Sequence, residues 1–548
     1  MPMLLAILTL IAQMTASPSP PAVTPESSAT PSASPAPTPS ESPAITSPES
    51  SPSATPSAAP LAAIPVSLAL TPAQQQIVTF PDAALPLTAT LDRRLVILTI
   101  DRLTSSISVT ATQATGTDTL HVTDARGASV DVPVRVAFRA GSFSPSATLK
   151  VTGSPIDPQW LARQVGALVQ RMTSALPGAT ATIAPVDAAP DPPVPGAQTQ
   201  FDVPVRIGGN AAYYDVTGTT AVSVQNVPAE PFAPGLLFYD DDPERVNADG
   251  VLYRGTIDAL HPTRLYYYHD GGMQARRVVV LLSTQSQYPA SVHVIDSTAG
   301  PNLDVMSVGH AATRNFLANK SRNQGTIVDV APDTPVILDD VALQYRQGVS
   351  GGIGMRVLSG GPVTVTVAAV SPGVDPKTIA DGELLPGDGH HRTGGFSIAA
   401  YGTASLAYQV GGADAKFVYG DREPTPPNVD PASPGHDYGD YGVLWNLAFT
   451  LTNPTPEPAT VYLYERPIGG IVRSSFLLDG TLVEMGCVRV PIPYRIGAYS
   501  LGPNATYRLN VQTMTDGGSN YPIEVGITQT VPQPSAPPIN SADGCFPK

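Results

Sequence analysis

Short runs of apolar and polar residues recur along the chain after residue 66, and they predict β-strands rather than helices. Such runs in the first part of this region are LVILTI (95–100), SISVTA (106–111), DTLHVTD (118–124) and SVDVPVRVAF (129–138). Later examples are RRVVVLLS (276–283), PVTVTVAAV (362–370), VLWNLAFTLTNP (443–454) and YPIEVGITQT (521–530). Many short strands separated by turn residues are typical of β-sandwich domains.

One segment instead has helical spacing. Asp157 is placed as the N-cap and Pro158 at the first helical position, and Pro177-Gly178 ends the pattern. The apolar positions between them are Trp160, Leu161, Val165, Leu168, Val169, Met172 and Leu176. Because strand-like runs flank the segment at 147–153 and 179–186, we predict a small α+β unit whose helical stripe is buried as core.

The N-terminal segment predicts export. Residues 4–12 (LLAILTLIA) are apolar and are followed by small or polar residues, with cleavage expected near Ala16 or Ser17. This run is too short to cross a bilayer, which takes about 20 residues. The stretch that follows is almost entirely Ser, Pro, Ala and Thr, which cannot bury enough apolar area to fold. We therefore predict a signal peptide and then a disordered stalk.

These patterns together predict a mainly β protein: several Ig-like or β-sandwich domains in series with one small α+β unit, behind a disordered Pro/Ser/Thr-rich stalk. The predicted segments are a signal peptide (1–17), a disordered linker (18–61), an Ig-like domain (62–140), the α+β domain (141–230), a β-sandwich domain (231–420), a linker (421–437), a second β-sandwich domain (438–530) and a tail (531–548).

Two parts of the chain resemble known protein classes. Residues 66–138 contain Gly116-Thr117, Thr119-Leu120, Val122-Thr123-Asp124, Gly127 and Val132-Pro133-Val134, and this hairpin resembles bacterial Ig-like domains. That resemblance implies a spacer or adhesive module. Residues 232–530 resemble uncharacterised bacterial surface proteins in the segments 242–253 and 264–269, which implies no activity.

The charge of the chain argues against two classes of function. The net charge is −15 and only 14% of residues are charged, and no basic run is found. Nucleic-acid binding and electrostatic docking on an anionic membrane both need clustered cations, so neither is expected. The two cysteines, Cys487 and Cys545, are predicted to form one disulfide that ties the tail to the last domain, with two free thiols as the alternative.

Acidic residues cluster at 240–249. Asp240, Asp241, Asp242 and Asp249 are candidate calcium ligands, since calcium takes six to eight oxygen ligands, often from one acidic loop. The order of an EF-hand is absent because Pro243 follows Asp242. A solvated acidic turn is the alternative, and no cofactor is predicted.

Three further motifs contain residue types that can bind ligands or catalyse reactions. Tyr266 and Tyr268 are candidates for an exposed strip that stacks on sugars, with burial in the core as the alternative. Ser350 lies in a G-x-S-x-G match, but no helical pattern follows it, so a hairpin turn is expected rather than a nucleophile elbow. His390 and His391 are adjacent and lack the spacing that zinc prefers. No catalytic residue is predicted.

These observations favour a non-enzymatic, exported protein of the cell surface or cell envelope, with a structural or adhesive role. Its expected partners are envelope polymers, glycans or other surface proteins, and the mature chain is expected to have no membrane-spanning segment. The alternative is an extracellular carbohydrate-binding or carbohydrate-processing protein, with calcium dependence left open, and a third hypothesis is a noncatalytic module of a secreted enzyme complex. A cleft lined by two or more carboxylates would favour the carbohydrate hypothesis.

Overall fold

The structure is a computed structural model that describes residues 60–186, 191–430, 435–534 and Cys545. The protein is mainly β, with 51% of the described residues in strands and 7% in helices. Within these residues no helix is long and apolar enough to cross a membrane. The predicted signal peptide, nearly all of the predicted stalk and most of the predicted tail lie outside the described residues.

The first folded module is a two-sheet sandwich. Its strands are β1 (Leu68–Leu70), β2 (Gln75–Thr79), β3 (Thr88–Leu91), β4 (Val96–Ile100), β5 (Ser106–Ala111), β6 (Gly116–Thr123) and β7 (Ser129–Val136). One sheet has the order β1-β7-β6-β3 and the other β2-β5-β4. The alternation that predicted these strands places Leu120, Val122, Val132 and Val134 in the core between the sheets.

The α+β unit follows. It comprises β8 (Phe138–Arg139), β9 (Gly141–Phe143), β10 (Ser146–Thr152), α1 (Pro158–Arg171), β11 (Thr173–Ala175), β12 (Thr180–Ile183), β13 (Gln198–Gly208), β14 (Tyr213–Tyr214) and β15 (Val216–Asn226). Helix α1 begins as predicted, because the Asp157 carboxylate accepts hydrogen bonds from the backbone N–H groups of Gln159 and Trp160. The helix buries Trp160, Leu161, Val165 and Val169 against β10, β13 and β15.

The next block contains the largest sheet. Its elements are β16 (Leu236–Asp240), β17 (Arg245–Val246), β18 (Gly250–Ile257), β19 (Thr263–Gly271), β20 (Arg276–Ser283), β21 (Ala290–Ile295), β22 (Ala299–Asn302), α2 (Val305–Ser321), β23 (Gly325–Val330), β24 (Val336–Leu343), β25 (Gly348–Ser359), β26 (Val363–Val370), a 3₁₀-helix (Pro376–Ile379) and β27 (Thr393–Ser397). A four-stranded sheet, β18-β26-β20-β24, packs against the large one.

The large sheet crosses the predicted domain boundary at 230. Its order is β12-β13-β15-β10-β23-β21-β25-β19-β16-β27, with β17 paired to β19 and β22 to β25. The link between the two units is the antiparallel pair β10–β23, where Val151 lies opposite Thr326. The α+β unit and the block after it therefore share one backbone ladder, which sequence periodicity cannot reveal because both partners are ordinary strands.

The last sandwich also differs from the predicted boundaries. Its strands are β28 (Thr403–Gln409), β29 (Ala415–Tyr419), β30 (Leu444–Thr452), β31 (Ala459–Pro467), β32 (Val472–Leu478), β33 (Thr481–Val488), β34 (Tyr494–Leu501), β35 (Thr506–Met514) and β36 (Ile523–Thr528). Strand β28 pairs with β30 and β29 pairs with β36, although both precede the predicted linker 421–437. Tyr408 and Tyr419 are buried in the core of this sandwich, which explains why their strands join it.

Helix α2 was not predicted from the sequence. Asp304 caps it by accepting a hydrogen bond from the N–H of Ser307. Its buried face includes Ser307, His310 and Thr313 as well as Phe316, so the helix has no purely apolar stripe. Because polar side chains are buried on this face, the sequence of α2 lacks the apolar pattern that predicts a helix. The candidate site lies in the same region.

Candidate functional site

The acidic cluster at 240–249 is divided by the fold. The carboxylate of Asp240 lies 3.2 Å from Nε2 of His269, and both side chains are inaccessible to solvent. Asp241 accepts a hydrogen bond from the hydroxyl of Tyr239 at 3.1 Å. Burial raises the pKa of Asp241 to about 7. Asp240 and Asp241 therefore contact side chains of this chain, His269 and Tyr239.

The other two candidate calcium ligands point elsewhere. Asp242 accepts a hydrogen bond from the backbone N–H of Asp388 at 2.6 Å. Asp249 lies 2.8 Å from the guanidinium of Arg276. Among the described residues no group of three or more His, Cys, Asp and Glu side chains is placed to hold a metal ion. The structure does not bring the four acids together.

Tyr266 and Tyr268 do not form an exposed strip. Their exposed fractions are 3% and 7%, and both pack into the core of the last sandwich. The intervening Tyr267 points to the opposite face of the sheet, into the core beneath β18–β26. Strand β19 is buried on both faces because the large sheet has a packed layer on each side. The sugar-stacking hypothesis for these tyrosines is therefore wrong.

Ser350 and the cysteines have clear positions. Ser350 lies within β25, opposite Tyr268 of β19, and is inaccessible to solvent. It lies in a strand rather than in the predicted hairpin turn, and no helix follows β25, so a nucleophile elbow is absent here. Cys487 and Cys545 form the predicted disulfide, with their Cα atoms 5.5 Å apart.

A cleft that sequence reasoning missed lies between α1 and α2. It consists of two adjoining cavities of about 280 Å³ and about 330 Å³. Trp160, Gln164 and Asp296 line both cavities. The smaller cavity extends from α1 to β10, β23 and β24, and the larger one from α1 to α2.

Two carboxyl groups contact one hydroxyl at the edge of this cleft: Asp296 and Thr298 line the larger cavity, and Asp339 contacts Thr298 from outside the cavity wall. Oγ1 of Thr298 lies 3.1 Å from Oδ1 of Asp296 and 2.5 Å from Oδ2 of Asp339. The hydroxyl of Tyr267 lies 2.8 Å from Oγ1 of Thr298 and 3.2 Å from the same oxygen of Asp339. Asp296 follows β21 and Asp339 lies within β24, so the large sheet and the sheet packed on it each supply one acid.

The carboxyl pair is protonated more readily than isolated carboxyl groups. Burial raises the pKa of Asp339, and the neighbouring charge of Asp296 raises it further. Burial also raises the pKa of Asp296. Two carboxylates this close cannot both ionise cheaply, so the pair retains a proton at a pH where an isolated aspartate has lost it. The carboxyl pair thus contains both a protonated carboxyl group, which can donate a hydrogen bond, and a carboxylate, which can accept one.

The walls of the larger cavity carry planar polar side chains. The residues that supply them are Gln159, Arg163, Gln164, Arg314, Asn315, Asn319 and Arg322. Asn319 donates to the backbone carbonyl of Asp296 at 2.7 Å and accepts from Gln324 at 2.7 Å, which fixes α2 relative to the carboxyl pair. Planar donors and acceptors suit a polyhydroxylated ligand better than an apolar one, and Trp160, which is 6% exposed, forms a packed part of the wall.

The sequence contained one usable signal for this site. Asp339 and Asp340 interrupt the apolar run VILDDVAL (336–343), and an acid in such a run needs a partner or a function. Neighbouring strand positions face opposite ways, and Asp340 pairs with Arg277 on the other side. The second acid, Asp296, could not have been connected to Asp339 without the fold, since 43 positions separate them.

Comparisons with known proteins leave the function open. No protein-family model and no curated protein matches the chain. The chain is similar to Drosophila N-cadherin EC1-4 (15% identity, 30% of this chain and 48% of that chain, TM-score 0.12). It is also similar to the Bacteroides ovatus protein SGBP-B, solved in complex with a mixed-linkage heptasaccharide (10% identity, 55% of this chain and 73% of that chain, TM-score 0.13). A third similar structure is that of Yersinia pseudotuberculosis InvD (10% identity, 57% of this chain and 95% of that chain, TM-score 0.13).

The chain spans about half the length of the cadherin fragment that it matches. At TM-scores this low, none of these similarities supports an argument about fold or function. The proposals below therefore rest on the geometry of this chain alone.

Proposed function

We propose that this protein is an exported cell-surface or cell-envelope protein that binds carbohydrate in the cleft between α1 and α2. The observation that supports this is a cleft whose wall combines planar polar side chains with Asp296, which shares the hydroxyl of Thr298 with Asp339. A sugar presents many hydroxyl groups, each both a donor and an acceptor, and a pair that shares a proton complements both roles.

Binding without cleavage fits this geometry better than glycoside hydrolysis. Glycosidases hold the scissile bond between two carboxyl groups about 5–10 Å apart. Here Asp296 and Asp339 both contact the hydroxyl of Thr298, at 3.1 Å and 2.5 Å, so a protein side chain bridges the two acids where a glycosidase would hold its substrate. The proposed protein is therefore a non-enzymatic binder, and its partners are glycans or envelope polymers.

Export is supported by two features of the chain. The N-terminal apolar run followed by small residues predicts a signal peptide. The disulfide between Cys487 and Cys545 suits an oxidising compartment outside the cytoplasm. In this proposal the β domains serve as a rigid scaffold that presents the cleft at the cell surface.

The test is a binding screen of the full chain against immobilised glucans, chitin oligosaccharides and uronic-acid oligosaccharides, followed by calorimetry on the best ligand. The variant Asp296→Asn should weaken binding by about tenfold, the equivalent of one lost charge-assisted hydrogen bond. Asp340→Asn is the matched control, since Asp340 lies beside Asp339 but pairs with Arg277 on the other side of β24. It should bind as the wild type does.

Two outcomes would contradict the proposal. One is the absence of binding to every glycan in the screen, and the other is equal affinity of wild type and Asp296→Asn. Release of shorter sugars from a bound oligosaccharide would contradict the non-enzymatic part of the proposal while leaving the location of the site intact.

A further inference from the structure

A second cavity, separate from the cleft, contains a buried cation without a carboxylate partner. Arg264 of β19 is 0% exposed. Its Nη1 donates to the backbone carbonyl of Gly442 at 2.6 Å, and its Cζ lies 4.4 Å from the centroid of the Phe316 ring. Its Nε has no hydrogen-bond partner among the described residues. The Phe316 ring therefore covers one face of the Arg264 guanidinium, while Nε on its edge donates no hydrogen bond to a described residue.

An unpaired buried guanidinium is costly. Transfer of a charge from water into a protein interior is expensive unless an opposite charge or several hydrogen bonds compensate it. Burial alone lowers the pKa of Arg264 to about 9, and no opposing contribution from a described carboxylate accompanies it. An anion bound beside Arg264 would offset this cost.

Arg264 is one of the residues around a cavity of about 280 Å³ between α2 and the last sandwich, and its guanidinium is buried in the wall of that cavity. Lys320 of α2 lines the same cavity, and burial, together with the nearby charge of Arg264, lowers the pKa of Lys320. The other polar residues of the wall are Tyr401, Thr403, Asn446 and Gln512. Among the residues that the structure describes, no Asp or Glu belongs to this wall, although the chain carries a net charge of −15.

The polar groups beside Lys320 are held in place. Its Nζ lies 3.4 Å from Oε1 of Gln512, and Nε2 of Gln512 donates to Oδ1 of Asn446 at 2.7 Å. Exposed residues Ala233, Ala399 and Thr403 lie at the rim, so a small molecule can enter from solvent. The remaining wall is apolar and includes Ile398, Val443 and Leu444.

We propose that this cavity is a binding site for a small oxyanion, an organic carboxylate or a phosphate, held by Arg264 at its base and Lys320 at its side. A guanidinium binds the two oxygens of such a group with paired N–H donors, and the lysine adds a charge-assisted hydrogen bond. The site does not depend on the proposed carbohydrate cleft. It lies on the other side of α2, where Asn319 contacts Asp296 and the next residue, Lys320, faces the oxyanion cavity.

The test is calorimetric titration of the full chain in Tris-chloride buffer with two probes, inorganic phosphate and sodium acetate. The wild type is expected to bind at least one probe saturably, and the probe that binds identifies the class of oxyanion. Lys320→Gln should weaken binding by about tenfold and Arg264→Met should abolish it. Lys377→Gln, at an exposed position of the 3₁₀-helix, is the matched control and should bind as the wild type does.

The folding of the variants is checked by thermal denaturation. Replacing an unpaired buried cation with an apolar side chain of similar length should leave the melting temperature of Arg264→Met equal to or above that of the wild type. Absence of saturable binding by both probes would overturn the proposal. Equal affinity of the wild type and folded Lys320→Gln would overturn it as well.

Discussion

Asp296 and Asp339 are joined by a single hydroxyl, since Oγ1 of Thr298 lies within hydrogen-bond distance of a carboxyl oxygen of each, at 3.1 Å and 2.5 Å. The two acids come from different sheets, so the contact exists only in the folded chain. A pair of this kind stabilises its partly protonated form, which links the chemistry of the cleft to pH.

The pair predicts a specific dependence of stability on pH. The pKa of Asp339 is raised in the folded state, so its contribution to stability is fully present below its unfolded pKa of 3.8 and is lost as pH rises above it. Asp339→Asn carries a neutral amide at every pH and should not lose this contribution. The melting temperature of the variant relative to wild type should therefore rise as the pH increases above about 4.

Thermal denaturation across this range is the measurement. Asp340→Asn again serves as the control, because its side chain lies on the other side of β24 beside Arg277. A constant difference between Asp339→Asn and wild type at every pH would show that the pair does not retain a proton.

Asp124, in the hairpin between β6 and β7 of the first module, predicts the opposite dependence of stability on pH. The carboxylate of Asp124 accepts backbone hydrogen bonds from Ala84 (3.0 Å), Arg126 (2.9 Å) and Ala128 (3.0 Å). The bond from Ala84 contributes most, and with the other backbone bonds and the Arg126 guanidinium it lowers the pKa of Asp124 to about 2. The stability that they give is present above the unfolded pKa of 3.8 and is lost as pH falls toward 2.

Asp124→Asn replaces one acceptor oxygen with an amide donor, so it should break part of this network at neutral pH. We expect faster hydrogen exchange of the backbone amides in β6 and β7, with no change in the last sandwich. Asp101→Asn, in another turn of the module where the carboxylate accepts from Leu103, is the control. Unchanged exchange at Val122 in Asp124→Asn would contradict the assigned role.

The same hairpin shows what the sequence could predict. The strands of the first module and the start of α1 were recoverable, because alternation, turn residues and the Asp157-Pro158 cap are local signals. The pairing of β10 with β23 and the transfer of β28 and β29 to the last sandwich were not, because they depend on which strands meet in space.

The candidate site could not be predicted from the sequence for a related reason. Asp296, Thr298 and Asp339 are brought together by two packed sheets and have no fixed spacing. The residues that sequence reasoning did select were chosen from local clusters, and the fold separates Asp240 from Asp249 and buries Tyr266 and Tyr268. The disulfide was accessible from the sequence because the chain has only two cysteines.

The disulfide predicts a large effect of reduction on the last sandwich. Cys487 and Cys545 are separated by 58 positions, and Nη2 of Arg489 also donates to the carbonyl of Cys545 at 3.1 Å. On the chain-entropy model, closing a loop of this length stabilises the folded state by about 4 kcal/mol. The double variant Cys487→Ser/Cys545→Ser should lose a comparable free energy of unfolding in urea denaturation without reductant.

The control for the disulfide is the wild type in the presence of a reductant, which should match the double variant. A double variant as stable as the oxidised wild type would show that the bridge does not contribute to the stability of the last sandwich.

The central claim is that carbohydrate binds in the cleft beneath Trp160, and Trp160 itself provides the most direct measurement. The chain has two tryptophans, Trp160 in the cleft wall and Trp445 in the last sandwich, so Trp445→Phe leaves Trp160 as the one tryptophan, which can be excited selectively over the tyrosines. Titration of Trp445→Phe with the glycan selected by the binding screen should change the emission of Trp160 saturably, and the same titration of Trp160→Phe should leave the emission of Trp445 unchanged. A signal that comes from Trp445 alone, or no change from Trp160 while calorimetry records binding, would place the glycan elsewhere and contradict the account.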